Sequence, residues 1–125
     1  MTTRPRTILV ADDDATVREV LRLMLDLDGH RVAVARDGPE ALLRLQEDRP
    51  EIVLLDLAMP GLHGLEVCRR IKHTPNPPLV LVISAMDGAE DERAARMAGA
   101  DAYVRKPFSP PGLLALIDSM APSAG

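Results

Sequence analysis

A chain of 125 residues is the size of one domain and long enough to bury a real core. Its 15 basic and 19 acidic residues leave a net charge of −4, which gives no footprint for nucleic acid or an anionic membrane. One cysteine, Cys68, excludes an internal disulfide, no stretch is apolar for long enough to span a bilayer, and the composition reads as a soluble cytoplasmic protein with an aliphatic core.

Residues 1–6 are polar and read as a frayed start. The apolar run Thr7–Ala11 reads as a first strand. Asp14 can cap a helix beginning at Ala15, because its carboxylate can accept from backbone N–H groups that have no helical partner. Val17, Val20, Leu21, Met24 and Leu27 or Asp28 follow helical spacing there, and Gly29 is a stop. Arg31–Ala35 alternates as a second strand. Asp37 and Pro39 begin a second helix, whose inner side is Ala41, Leu42 and Leu45. Residues 52–56, Ile-Val-Leu-Leu-Asp, read as a third strand that ends on an acid. Gly64–Lys72 is a third helix with Leu65, Cys68 and Ile71 inward, and the Pro-rich loop at 74–78 cannot be crossed by a helix. Leu79–Ser84 is a strand apolar on both faces, and residues 90–98 form a fourth helix with acids in its first turn. Gly99 stops that helix, Ala102–Arg105 is a fifth strand, and Pro110–Met120 is a fifth helix capped by Ser109. Residues 121–125 read as a tail or the start of a linker.

Strands that alternate with helices imply an α/β fold around a parallel sheet, with right-handed crossovers placing helices on both faces. Ligands of such sheets bind beyond the carboxyl ends of the strands. That rule gathers Asp12, Asp13 and Asp14 after the first strand, Asp56 after the third, Ser84 at the fourth, and Arg105-Lys106 at the fifth. Crowded carboxylates repel one another unless a cation intervenes, and Mg2+ favours a few carboxylates together with water and a phosphate oxygen. A carboxylate can also attack phosphorus to give an aspartyl phosphate, with metal and lysine offsetting the charge of the group in transfer.

Four pieces then carry a resemblance: Ile8-Leu-Val-Ala-Asp-Asp13, Leu54-Leu-Asp-Leu-Ala-Met-Pro-Gly61, Ser84-Ala85, and Gly99-Ala-Asp-Ala-Tyr-Val-Arg-Lys-Pro-Phe108. In this order, on these strands, the chain resembles the receiver domain of bacterial two-component response regulators over residues 7–120. The resemblance implies a doubly wound, flavodoxin-like sheet of five parallel strands in the order 2-1-3-4-5, with five helices. It implies that Asp56 accepts a phosphoryl group from a phosphohistidine on a sensor histidine kinase or phosphotransfer protein. Asp12, Asp13, Asp56 and the backbone carbonyl of Ala58 would hold Mg2+ (or Mn2+), Asp12 through water. Lys106 would pair with the phosphoryl oxygens, Ser84 would be the switch hydroxyl, and Tyr103 the aromatic that changes rotamer with it. The Lys106-Pro107 bond would be cis. The face of the fourth helix, fifth strand and fifth helix would then control an output partner or a further effector domain, or form a homodimer. The domain would be no conventional enzyme, catalysing only its own phosphoryl transfer and hydrolysis.

The chain departs from the family pattern in places. Ala11 stands where Val is common, His63 and Ala102 where acids are common, and the last helix lacks the basic residues of one known dimer face. Its apolar residues Leu113, Leu114, Leu116, Ile117 and Met120 span a wider arc than one buried stripe needs. Simpler readings hold elsewhere. Asp14 is a cap rather than a ligand, Cys68 an inert core residue, and His30, His63 and His73 are exposed without ligand spacing. Two other functions compete. An Mg2+-dependent phosphohydrolase could use Asp12 and Asp14, but 125 residues leave no room for a cap domain. An interaction module that is never phosphorylated would commonly have lost one of Asp12, Asp13, Asp56, Ser84 and Lys106. Flavin or dinucleotide binding lacks a glycine-rich loop after the first strand.

Overall fold

The computed structural model describes residues 5–59, 63–85 and 88–120. Ten elements alternate along it: β1 (Thr7–Ala11), α1 (Ala15–Leu27), β2 (Arg31–Ala35), α2 (Gly38–Asp48), β3 (Ile52–Leu55), α3 (Gly64–Lys72), β4 (Leu79–Ser84), α4 (Ala89–Met97), β5 (Ala102–Arg105) and α5 (Pro110–Met120). The strands form one parallel sheet in the order β2-β1-β3-β4-β5, the doubly wound single-domain fold expected.

Successive side chains of a strand point to opposite faces, and here both faces are buried. Leu9, Val53, Leu55, Val80 and Val82 meet Ala41 and Leu45 of α2, Val67, Cys68 and Ile71 of α3, and Ala95 of α4. The intervening Ile8, Val10, Ile52, Leu54, Leu81 and Ile83 meet Leu21 and Leu25 of α1 and Leu113 and Ile117 of α5. The apolar runs of β1, β3 and β4 therefore serve two cores at once.

The caps act as the sequence implies. The Asp14 carboxylate accepts from the Thr16 and Val17 N–H groups, and that of Asp37 from Glu40 N–H. Gly29 and Gly99 adopt positive φ where α1 and α4 end. Gly64, first residue of α3, is required for another reason: a Cβ there would run into the Leu57 backbone.

Several expectations need correction. Strand β3 ends at Leu55, so Asp56 is the first residue beyond it. Helix α4 runs one residue earlier than predicted, because Gly88 already has the extended backbone of a cap. On α1, Val20 and Leu27 are exposed and Leu25 is buried, since the helix turns its 21–25 stripe to the sheet. Arg6 is not frayed but buried at 1 % exposure, with its guanidinium on Asp118 (3.2 Å). His30 is buried too: its Nδ1 accepts from Arg6 N–H (3.1 Å), and Nε2 lies 3.1 Å from Asp28. On α5, Leu114, Leu116 and Met120 pack half-buried against the second core, so less of the apolar arc is open than predicted. The expected tail at 121–125, the polar start at 1–4 and the Pro60-Gly61 end of the second motif lie outside the described residues.

Candidate functional site

The parallel sheet brings the predicted residues to one edge by register alone. Ala11 pairs with Leu55, so Asp12 and Asp56 emerge side by side as the next residues on neighbouring strands. The ladder runs on past them, with Asp56 N–H donating to Ala11 carbonyl (2.9 Å) and Asp12 N–H to Ala35 carbonyl (3.1 Å). Both carboxylates are thus fixed by backbone bonds before any side-chain contact is made. On the other side Ser84 pairs with Arg105, and Lys106 N–H donates to the Ser84 carbonyl (2.9 Å). Lys106-Pro107 is cis, as expected.

Asp12 and Asp56 are almost fully buried, whereas Asp13 is exposed. One oxygen from each of the three lies within 4.8 Å of the others. Each buried carboxylate is held at one oxygen by a local N–H: Asp12 Oδ1 accepts from Asp14 (2.9 Å), and Asp56 Oδ1 from Ala58 (3.1 Å). Their Oδ2 atoms face Lys106, whose ammonium donates to Asp12 at 2.8 Å and lies 3.5 Å from Asp56. Arg18, which the sequence reading passed over, donates to the Asp12 carbonyl (2.9 Å) from the first turn of α1. Its signal was its place one turn beyond Asp14, on the helix that the acidic cluster begins.

Ser84 is fully buried at the end of β4. Tyr103 pairs in register with Val82 and packs half-buried against the α2–α3–α4 core, so it stands beside the site rather than among its acids. Asp14 is engaged as the α1 cap.

The electrostatics follow from two buried acids facing one lysine, with a third acid beside them. Burial pushes the Asp56 carboxyl above the ordinary range, the Ala58 N–H bond pulls it back, and the Asp12 charge pushes it up again. For Lys106, burial opposes the charge, but the hydrogen bond to Asp12 and the charge of Asp56 outweigh it, and its pKa is raised. The site therefore lacks positive charge. A divalent cation of the hard, oxygen-binding kind suits the carboxylate trio: oxygens around an octahedral ion at ~2.1 Å stand at most ~4.2 Å apart, close to the spacing present. No histidine or cysteine joins the group among the described residues, so softer metals have no ligand there.

A doubly wound sheet with two buried acids, a third acid beside them, a lysine and a buried serine at its carboxyl edge defines a receiver domain. The chain belongs to the response regulator receiver domain family, whose model matches residues 8–118; it is a receiver domain of two-component signalling. It is 48 % identical over 111 residues to the response regulator MprA of Mycolicibacterium vanbaalenii, an alignment that covers 89 % of this chain and 48 % of that protein. The chain thus spans about half the length of the curated relatives it matches. Among solved structures, the receiver domain of Francisella response regulator 1452 superposes with a TM-score of 0.86 at 28 % identity, covering 92 % of this chain and 95 % of that one. The BeF3-activated N-terminal receiver domain of Klebsiella pneumoniae RstA gives 0.86 at 25 % identity, covering 90 % and 96 %. No described helix is long and apolar enough to cross a membrane.

Proposed function

We propose that residues 7–120 work as a phosphoacceptor switch. Asp56 Oδ2 attacks the phosphorus of a phosphohistidine on a sensor histidine kinase or phosphotransfer protein; the P–N bond breaks, and the departing imidazole takes up a proton. The observation that carries this reading is the Asp56 carboxylate itself: buried, held at Oδ1 by Ala58 N–H, and with Oδ2 3.5 Å from the Lys106 ammonium. One oxygen is occupied and the other faces a cation, which orients the nucleophile.

Asp12, Asp13, Asp56 and the Ala58 carbonyl would hold Mg2+ or Mn2+, Asp12 through water. The ion would supply positive charge to the phosphoryl oxygens at a site where acids outnumber lysine. Lys106 leaves Asp12 to pair with the phosphoryl group, since a doubly charged acceptor competes well for an ammonium. Ser84 donates its hydroxyl to a phosphoryl oxygen, and Tyr103 follows it inward. The switch reads out at the face formed by α4, β5 and α5, which controls an output partner or effector domain, or pairs with a second copy. The setting is cytoplasmic, this domain makes no nucleic-acid contact of its own, and its only chemistry is transfer to Asp56 and slow hydrolysis from it.

Incubation with Mg2+ and acetyl phosphate, followed by intact mass measurement, tests this. A phosphoryl adduct is expected that requires the metal and is absent from Asp56→Asn. An unmodified chain with every small phosphodonor and with histidine kinases would overturn it in favour of a module that is never phosphorylated.

A further inference from the structure

The three acids of the site are not held alike. The Asp12 carboxylate is tied by Asp14 N–H and Lys106, and that of Asp56 by Ala58 N–H with Lys106 beside it. Asp13 is exposed, and its carboxylate takes part in no hydrogen bond or ion pair among the described residues. One of its oxygens nevertheless comes within 4.8 Å of theirs. The backbone must therefore place it, and the peptide on each side of Asp13 is gripped once. The following peptide is held where Asp14 N–H donates to Asp12 Oδ1 (2.9 Å). The preceding one is held at the Asp12 carbonyl, which accepts from Arg18 Nη1 (2.9 Å). Arg18 is itself fixed to the turn, because its backbone N–H donates to the Asp14 carbonyl (3.0 Å). Half-buried one turn into α1, it forms no ion pair among the described residues. A guanidinium ordinarily seeks a carboxylate. Here its donor goes to a carbonyl, and the nearby carboxylates stay open to a cation.

We infer that Arg18 is a positioning residue for the metal site: by holding the Asp12–Asp13 peptide, it aims the Asp13 carboxylate at the ion that Asp12, Asp13 and Asp56 would share. This inference rests on the metal site proposed above and names the residue that sets its geometry. The competing role for a cation in this place is purely electrostatic, and it has the opposite sign. Positive charge near a Mg2+ position repels the ion, so charge alone predicts that removing Arg18 tightens binding. Positioning predicts that removal weakens it, because Mg2+ demands near-octahedral geometry and Asp13 would lose its aim.

Isothermal titration of the metal-free chain with MgCl2 measures the difference. Arg18→Met keeps an apolar stem over the turn and removes both donor and charge. It should weaken Mg2+ binding about tenfold, the lower end of what losing a group that orients a metal ligand costs. Arg18→Lys keeps one donor for one carbonyl and should recover most of that affinity. Urea unfolding of the metal-free variants is the control, since a merely structural Arg18 would lower stability and leave the Mg2+ affinity of the folded chain unchanged. Unchanged or tighter binding by Arg18→Met would overturn the inference, and so would an Arg18→Lys chain that binds no better than Arg18→Met. Normal Mg2+ affinity with slower adduct formation on Asp56 would overturn it too, by assigning Arg18 to the phosphodonor. A wild-type chain that takes up no Mg2+ would remove the metal site and this inference together. A wild type that binds, beside an Arg18→Met chain that binds equally well, would remove this inference alone.

Discussion

The two edges of the sheet each bury charged side chains, and they do so on opposite terms. At the amino edge, Arg6 faces Asp118, and His30 bridges the Arg6 backbone to Asp28. Nδ1 of His30 accepts from an N–H, so Nε2 carries the proton and donates to Asp28. The buried cation Arg6 has a carboxylate partner in Asp118, the neutral His30 is hydrogen-bonded at both ring nitrogens, and the cluster ties the start of β1 to the end of α1 and to α5. At the carboxyl edge, two carboxylates meet one ammonium with a third carboxylate beside them, and Asp56 is pushed above its usual range by burial and by Asp12. A buried cluster that is balanced holds a fold together, whereas one left out of balance is poised for a ligand of the missing charge.

Substitutions can break or sharpen that contrast. The largest effect is expected at the carboxyl edge: Lys106→Ala should slow adduct formation on Asp56 by ~10²-fold or more, the scale of losing one positioned donor to a group in transfer. The chain should stay folded, and rapid-quench mass measurement with acetyl phosphate reads the rate; an unchanged rate would remove Lys106 from the mechanism. Next comes the amino edge. His30→Ala leaves the buried Arg6 N–H without its acceptor and should cost ~1–3 kcal/mol in urea unfolding. Its adduct should form at the wild-type rate; a stable variant with impaired chemistry would invert the comparison. The smallest effect concerns pH. The folded Asp56 carboxyl binds its proton more tightly than the unfolded one, so its charge destabilises the fold above the folded pKa. That penalty is relieved as the pH falls through the folded pKa toward the ordinary carboxyl range. Asp56→Asn should therefore be the more stable chain at neutral pH without metal, with the difference shrinking in mild acid. Mg2+ should stabilise the wild type more than the variant; parallel unfolding curves at all pH values would contradict the imbalance.

The contrast also explains what the sequence made legible. Strand and helix identities could be read because they depend on local signals: β1, β3 and β4 as apolar runs, and Asp14 and Asp37 as caps placed before helical spacing. The meeting of Asp12, Asp13, Asp56 and Lys106 was readable because a parallel sheet sends every carboxyl end to one edge. The amino-edge cluster was not, because no local signal announces it. Arg6 looked like part of a polar tail, and its partner Asp118 lies 112 residues away. His30 is buried only because β1 and the turn after α1 close over it. The exposure of Val20 and Leu27 depends on how α1 rolls against the sheet, which helical spacing leaves open by a residue or two.

The contact between Gly64 and the Leu57 backbone has a bearing on evolution as well as packing. Leu57 is the residue after Asp56, so the first turn of α3 braces the segment that presents the proposed nucleophile. A methyl group at position 64 would displace that segment without altering one charge. The proposed reactivity of Asp56 is thus exposed to mutation through a purely mechanical route, and a lineage could retune the switch by moving a loop while every charged residue stays where it is.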